Sequence, residues 1–217
     1  MRTWIHEVKA VVLAGFGGEG MQEAVADILS GKACPSGKLS ESYPLCLEDT
    51  PSIADKQDGY FIRYGEGLFI GYRWYDKQQK EVLFPFGYGL SYAQFEYSDL
   101  QILKKSEVDY EVCFTIKNTS QTDGAEVSQV YVRDPFASVE RPEKELKGFA
   151  KTALKAEESK RVSITLNARS FAYYSIARKG WYVENGDFEI LIGASSRDIR
   201  LSDTVKIQLP PNTQNSQ

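Results

Sequence analysis

The sequence predicts an α/β segment followed by an all-β sandwich, and three observations carry that prediction. Residues 1–92 combine one helical apolar face with two strand-like runs set off by glycine and proline turns. Residues 93–209 contain repeated runs of apolar–polar alternation, the period of half-buried strands. Between the two lie Tyr64-Gly65-Glu66-Gly67-Leu68-Phe69-Ile70-Gly71-Tyr72-Arg73-Trp74-Tyr75-Asp76 and Phe84-Pro85-Phe86-Gly87-Tyr88-Gly89-Leu90-Ser91-Tyr92. Glycine allows close backbone approach, and rigid aromatics fill the space around it. These two runs read as a packed, irregular connector rather than a flexible linker.

Taken in order, residues 8–14 are an apolar run that suits a buried strand. Gly15-Phe16-Gly17-Gly18-Glu19-Gly20 is a turn. Met21, Ala24, Val25, Ile28 and Leu29 then recur at helical spacing on one amphipathic face. Gly31 stands where a left-handed residue would end that helix. Pro35-Ser36-Gly37 is a turn, residues 38–43 suit a second strand closed by Pro44, and residues 47–60 form a polar excursion loop. In the second half, Val108, Tyr110, Val112, Phe114 and Ile116 alternate with Asp109, Glu111, Cys113, Thr115 and Lys117. Residues 118–124 are rich in turn formers. Val127, Val130 and Val132 mark another strand, whose alternation slips at Ser128-Gln129 and is read as a bulge. Val162, Ile164 and Leu166 alternate again, as do Phe188, Ile190 and Ile192, and Val205, Ile207 and Leu209. Several short strands with turns between them predict a sandwich. Residues 210–217 are expected to be a disordered tail.

Composition narrows the function classes. The chain has 217 residues, 42% of them hydrophobic, which fits one large domain or two small ones. A net charge of −4 gives no electrostatic footprint for nucleic acid. No run approaches the ~20 apolar residues of a membrane span, so no membrane partner is expected. The first residues lack a signal-peptide apolar region, and a cytoplasmic location is the expectation. Cys34, Cys46 and Cys113 have no paired spacing, which argues against a disulfide framework or a zinc site. His6 is the single histidine and cannot form a cluster. No metal and no cofactor are expected.

The two aromatic–glycine runs also resemble the junction of glycoside hydrolase family 3 enzymes, the β-glucosidases and β-xylosidases. There a Tyr-Gly-Glu-Gly…Gly-Tyr-Arg stretch and a Phe-Pro-Phe-Gly-Tyr-Gly-Leu-Ser-Tyr stretch lead from an α/β sandwich into a fibronectin type III-like domain. Ala14-Gly15-Phe16…Gly31…Pro35-Ser36-Gly37-Lys38-Leu39 is similar to a late segment of that family's α/β sandwich. Asn118…Gly124-Ala125-Glu126-Val127…Gln129-Val130-Tyr131-Val132 is similar to the fibronectin-like domain. Arg141-Pro142…Lys144-Glu145-Leu146-Lys147-Gly148-Phe149 and Gly193-Ala194-Ser195-Ser196-Arg197-Asp198-Ile199 extend that similarity. The resemblance covers roughly residues 8–208. It implies an incomplete α/β sandwich over residues 1–92, then an immunoglobulin-like (fibronectin type III-like) β-sandwich over 93–209.

The resemblance also implies a parent enzyme that hydrolyses β-glycosides with retention, through two carboxylates and a covalent glycosyl intermediate. The family's nucleophile is an aspartate in a Ser-Asp-Trp-like stretch of an N-terminal barrel. Here Trp4, Trp74 and Trp181 follow Thr3, Arg73 and Gly180, and a barrel of ~250 residues has no room. The family's acid/base glutamate belongs to sandwich sequence upstream of Met1. No catalytic residue is therefore assigned, and the chain alone is expected to be inactive. It would act as scaffold and pocket rim, with carbohydrate and the N-terminal barrel as partners through the parent, and self-association as a further expectation.

Substrate-binding candidates are Glu66, Arg73, Tyr64 and Trp74. Glu66 would line the rim of the sugar pocket. Its plainer reading is a local acid paired with Arg63 or Arg73, since a glycine-flanked charge among aromatics needs a partner. Trp74, Tyr72 and Tyr75 could stack on a sugar ring, and packing is the plainer reading. Arg197-Asp198 reads as a solvated or turn pair. Two alternatives stand beside the scaffold reading: a stand-alone carbohydrate-binding or protein-interaction module, and a dinucleotide-binding protein. The second rests on Gly15-Phe16-Gly17-Gly18-Glu19-Gly20, which matches G-x-G-x-x-G, with Glu41 ~20 residues further on.

Overall fold

The structure, a computed structural model, describes residues 3–54 and 64–210. Its first helix, α1 (Met21–Leu29), forms where the apolar spacing predicts, and it ends at Gly31, whose φ is +78°. Left-handed backbone costs glycine no Cβ clash, so the chain turns off the helix there. Residues 8–14 form no strand. They are exposed, and among the described residues nothing pairs with them. A strand is defined by its ladder, so an apolar run without a neighbouring strand stays irregular. Of residues 38–43 only the last joins a ladder: β1 (Tyr43–Pro44) pairs with β2 (Val82–Phe84). The 47–60 excursion holds a 3-10 turn (Leu47–Asp49) and α2 (Pro51–Ala54), and its remainder lies outside the described residues.

The connector is less irregular than its composition suggests. Gly71 (φ +56°) turns the chain into α3 (Tyr72–Lys77), a helix of six residues. Tyr72, Tyr75 and Asp76 fall at i, i+3 and i+4 and so share one face. Tyr72 and Tyr75 are buried. Among the described residues no helix is long and apolar enough to cross a membrane.

The second half is the predicted sandwich, built from β3 (Phe95–Lys104), β4 (Tyr110–Asn118), β5 (Gly124–Arg133), β6 (Glu145–Leu154) and β7 (Ser159–Leu166). A short α4 (Ala168–Phe171) and the hairpin β8 (Tyr173–Ser175) and β9 (Gly180–Tyr182) lead to β10 (Gly186–Gly193) and β11 (Ile199–Ile207). One sheet has the order β11-β10-β5-β6 and the other β3-β4-β7, with antiparallel pairing throughout. Val112, Phe114 and Ile116 of β4 face Val130 of β5 and Phe188, Ile190 and Ile192 of β10, all fully buried. The alternation of β4, β7 and β10 was legible because one face of each meets this core and the other meets water.

Two strands lacked such a signal. In β3 the pairing register shifts between Ser98 and Gln101, around Asp99 with φ +54°, so its period is broken. In β6 the outer face carries the α3 contacts described below and the run contains Gly148.

The expected bulge at Ser128-Gln129 is not there. The register between β5 and β6 shifts instead where Val130 and Tyr131 pair with Gly148 and Leu146, which makes Lys147 of β6 the extra residue. The alternation of β5 slips for a different reason: both of its faces are covered. Val130 and Val132 face the sandwich core, while Gln129 and Tyr131, also buried, meet the connector.

That second contact is the seam between the two halves. The Gln129 side-chain amide donates to Gly87 O (3.1 Å) and Ala194 O (2.9 Å), and its carbonyl accepts from the Tyr131 hydroxyl. Gly87 has φ +79°, and a Cβ there would collide with the Gln129 amide. Ser196 N–H donates to Phe86 O at 2.9 Å. The Tyr72 ring stacks on Phe86 (4.8 Å between centroids) and meets Tyr131 edge-on (6.0 Å). At the far end of the seam Lys38 reaches buried Glu126 (3.2 Å), which also accepts from the Tyr97 hydroxyl (2.8 Å). Burial and the Glu126 carboxylate push the Tyr97 phenol well above its ordinary range.

Two outcomes follow from this packing. Residues 93–217 produced alone unfold in one cooperative denaturant transition, whereas residues 1–92 alone aggregate or lack such a transition, because Val11, Leu13 and Leu29 are already 41%, 54% and 68% exposed. A cooperative, monomeric 1–92 fragment would refute that division. In the whole chain, Gln129→Leu leaves Gly87 O, Ala194 O and the Tyr131 hydroxyl without their partner. It lowers unfolding free energy by about 2–4 kcal/mol, at roughly 1 kcal/mol or more per orphaned buried group. Equilibrium urea unfolding reads that loss, and a neutral substitution would contradict the seam.

Candidate functional site

The site is built on the turn that precedes α3. Residues 65–68 form the turn itself, closed by Phe69 N–H donating to Glu66 O at 2.9 Å. Tyr64 is 80% exposed and Glu66 half-buried, with Leu68 and Ile70 exposed beside them. Among the described residues no ion pair to Glu66 is formed. The expected pairing with Arg73 does not occur, because Arg73 lies on α3 and faces the sandwich, where Glu145 takes it at 3.5 Å. Arg63, the other expected partner, lies outside the described residues. Trp74 is held by packing chemistry: its indole N–H donates to Asp49 O (3.2 Å). Asp49 is in turn paired with Lys80 (2.8 Å), whose hydrogen bond holds its carboxyl below the usual range. The four candidates thus divide into a pair at the open turn, Tyr64 and Glu66, and a pair, Arg73 and Trp74, committed to holding α3 in place.

The electrostatics around α3 were not read from the sequence. Asp76 pairs with Lys144 (2.7 Å) and with Arg197 (3.4 Å), and its side chain is only 9% exposed. Arg197 also donates to Lys80 O at 2.6 Å. The expected Arg197-Asp198 turn pair is therefore wrong: Arg197 reaches across the seam to α3, and Asp198 pairs with Arg200 instead. Neighbours in sequence in this turn diverge because Arg197 has a buried anion to satisfy.

Glu145 collects Arg73, Arg141 (3.1 Å) and Lys147 (3.4 Å). Burial alone would push its carboxyl up, but the three cations together hold it below the usual carboxylate range. Burial pulls the Lys147 ammonium down, against the opposing pull of Glu145. The Tyr72 hydroxyl accepts from Leu146 N–H (2.8 Å) on β6, the edge strand of its sheet. An edge strand leaves ladder donors open, and this one is closed by α3. The helical spacing of Tyr72 and Asp76 was a usable signal for this face; the identity of their partners, some 70 residues or more away in the chain, was not.

The G-x-G-x-x-G reading fares differently. Its glycines do precede a helix, but the strand that must lead into them, residues 8–14, is absent among the described residues. The fingerprint needs that strand to place a pyrophosphate at the helix start.

Comparison with known proteins fits this architecture. Residues 1–92 match the glycosyl hydrolase family 3 C-terminal domain, and residues 126–196 match the fibronectin type III-like domain. The thermostable β-glucosidase B of Acetivibrio thermocellus is 48% identical over 208 residues, which is 94% of this chain and 28% of that protein. An exo-α-(1→6)-L-arabinopyranosidase of Bifidobacterium longum is 45% identical over 208 residues, 95% of this chain and 27% of that protein. The structure of β-glucosidase 3B from Thermotoga neapolitana, solved with glucose, superposes with a TM-score of 0.89 at 36% identity, over 96% of this chain and 30% of that one. The chain thus spans under a third of the length of the curated relatives it matches. With a helix-and-turn segment seamed through aromatic residues to a fibronectin-like sandwich, it belongs to glycoside hydrolase family 3, as the C-terminal part of β-glucosidase-like members.

Proposed function

We propose that this chain is the non-catalytic scaffold of an enzyme that hydrolyses β-glucosides with retention, and that its turn at Tyr64 and Glu66 forms part of the sugar-pocket rim. The observation that supports the rim role is the open turn itself. Tyr64 is 80% exposed beside Glu66, on a segment anchored by α3, so an aromatic face and a carboxylate are presented together. A ring that stacks on a sugar and a carboxylate that accepts its hydroxyl hydrogen bonds are the groups such a rim uses. The non-catalytic role rests on the sequence, in which no tryptophan follows an aspartate. The paired carboxylates that glycoside hydrolysis requires would come from the parent's other domains, with the barrel as the partner of this chain.

The sugar itself is a separate matter. A relative named for glucosides and one named for arabinopyranosides are nearly equally similar to this chain, 48% and 45% identical. That near-equality supports a part that presents a rim and leaves the choice of sugar to the remainder of the enzyme.

The isolated chain should give no turnover of a nitrophenyl β-glucoside, even at high protein concentration. Put in place of the corresponding C-terminal part of the Acetivibrio enzyme, it should give an active chimaera. In that chimaera Glu66→Gln raises KM several-fold with kcat little changed. Turnover by the isolated chain that survives repurification and vanishes in Glu66→Gln would overturn the non-catalytic assignment. A folded but inactive chimaera would overturn the scaffold role.

A further inference from the structure

The open turn is bonded to its near neighbours in the chain. Its internal bonds are short-range: Gly67 N–H to Tyr64 O (3.4 Å), Phe69 N–H to Glu66 O (2.9 Å) and Arg73 N–H to Ile70 O (3.3 Å). Its apolar side chains Leu68 and Ile70 are 61% and 56% exposed, while the half-buried Phe69 ring lies 5.3 Å from the Lys77 ammonium of α3. What fixes its position is α3, which follows directly. Six residues are too few for a helix to persist by itself, so α3 depends on what it touches.

Most of its side-chain contacts are with the sandwich. Tyr72 takes Leu146 N–H and packs on Tyr131, Arg73 takes Glu145, Asp76 takes Lys144 and Arg197, and Lys77 takes Glu140 at 2.9 Å. From the first half of the chain, α3 receives the Asp49 carbonyl at Trp74, the Phe86 ring at Tyr72 and the Phe69 ring at Lys77, and Tyr75 is buried outside the sandwich core. The strongest of the sandwich contacts are the least exposed. Asp76 is bracketed by two cations, and a shift of α3 would leave its charge buried without a partner, which is costly.

We propose that the fibronectin-like sandwich is the positioning device for the sugar-facing turn, acting through Tyr72 and Asp76, and that it sets substrate affinity without touching the chemical step. This rests on the rim assignment for Tyr64 and Glu66 and deepens it. Tyr72, Asp76, Lys144 and Arg197 are positioning residues: none is assigned a contact with sugar, and each acts through the backbone that carries the turn. A rim group displaced by an ångström loses its contact in the bound state and the transition state alike. Such uniform loss of binding raises KM and leaves kcat in place.

Two measurements test this. In the whole isolated chain, amide hydrogen exchange is followed for Phe69, Arg73 and Trp74, with Val112 and Phe114 of β4 as internal references. Tyr72→Phe, which removes only the hydroxyl, and Lys144→Ala should each speed exchange at the turn by about tenfold and leave β4 unchanged. In the chimaera with the Acetivibrio enzyme, the same substitutions should raise KM for the nitrophenyl β-glucoside by about tenfold at nearly constant kcat. Lys144→Arg should restore both readouts, and Lys104→Ala, at an exposed pair on β3, should move neither. Turn exchange unchanged in both variants would overturn the proposal. So would a loosened turn with KM unaltered, or a fall in kcat at constant KM. Inactivity of the wild-type chimaera would sink the scaffold role instead, and the exchange measurement would still decide whether the sandwich clamps the turn.

Discussion

Much of this molecule hangs on the Gln129 side-chain amide. It stands on the outer face of β5, a position that in a free-standing sandwich would face water. Here it is 3% exposed, and it satisfies one carbonyl of the connector and one of the β10–β11 turn at the same time. A buried amide with every group paired is specific in a way an apolar contact is not, since a shift of either half leaves donors and acceptors orphaned. Gly87 belongs to the same constraint, because its left-handed backbone and missing Cβ let the connector come within hydrogen-bond reach. With that approach fixed, Tyr72 stacks on Phe86 and sets its edge against Tyr131, and α3 has a floor to rest on.

From that floor outward, the structure changes from apolar to ionic. Tyr72 and Tyr131 are buried rings, while Asp76, Lys144, Arg197 and Glu145 surround them as an incompletely buried network. The buried rings pack the halves together, and the charges set the register in which they meet, since a displaced Asp76 would face no cation. The two sides of the first segment therefore differ sharply. The side against the sandwich is packed and paired. The side carrying Val11, Val12, Leu13 and Leu29 is open, and all four are exposed. In the relatives the matching stretch is under a third of the whole chain, 28% of the Acetivibrio protein and 30% of the Thermotoga one.

The second half was legible because its chemistry is local and periodic. The pattern from Tyr110 to Ile116 reports one buried and one wet face, and no partner is needed to read it. Where a strand departs from that situation the reading failed. In β5 the slip was taken for a bulge because Gln129 is polar yet buried, and polarity in sequence does not distinguish water from a carbonyl across a seam. In β3 the turn of the backbone at Asp99 broke the period. Residues 8–14 show the opposite error: the apolar run was read as a buried strand, and no strand forms there, because a strand also needs a neighbour. At the site, the motif around Glu66 was visible, but the turn that carries it was not read from the sequence. Its expected pairing with Arg73 was not formed, because the sandwich supplies a better-placed acid.

The sequence by itself determined the order of the two halves, the sandwich core, the glycine at the end of α1, the family to which the chain belongs and the absence of an Asp-Trp nucleophile motif. Each is written either in short-range periodicity or in the identity of contiguous residues. Only the tertiary structure decided which polar side chains are buried, which strand carries the extra residue, and that Arg197 serves α3 rather than its neighbour Asp198. The side-chain pairings among them depend on groups brought together from about 40 to about 120 residues apart. A side chain's partner is settled by desolvation and charge at the point where the chain closes on itself, and neither quantity exists in the sequence until it does.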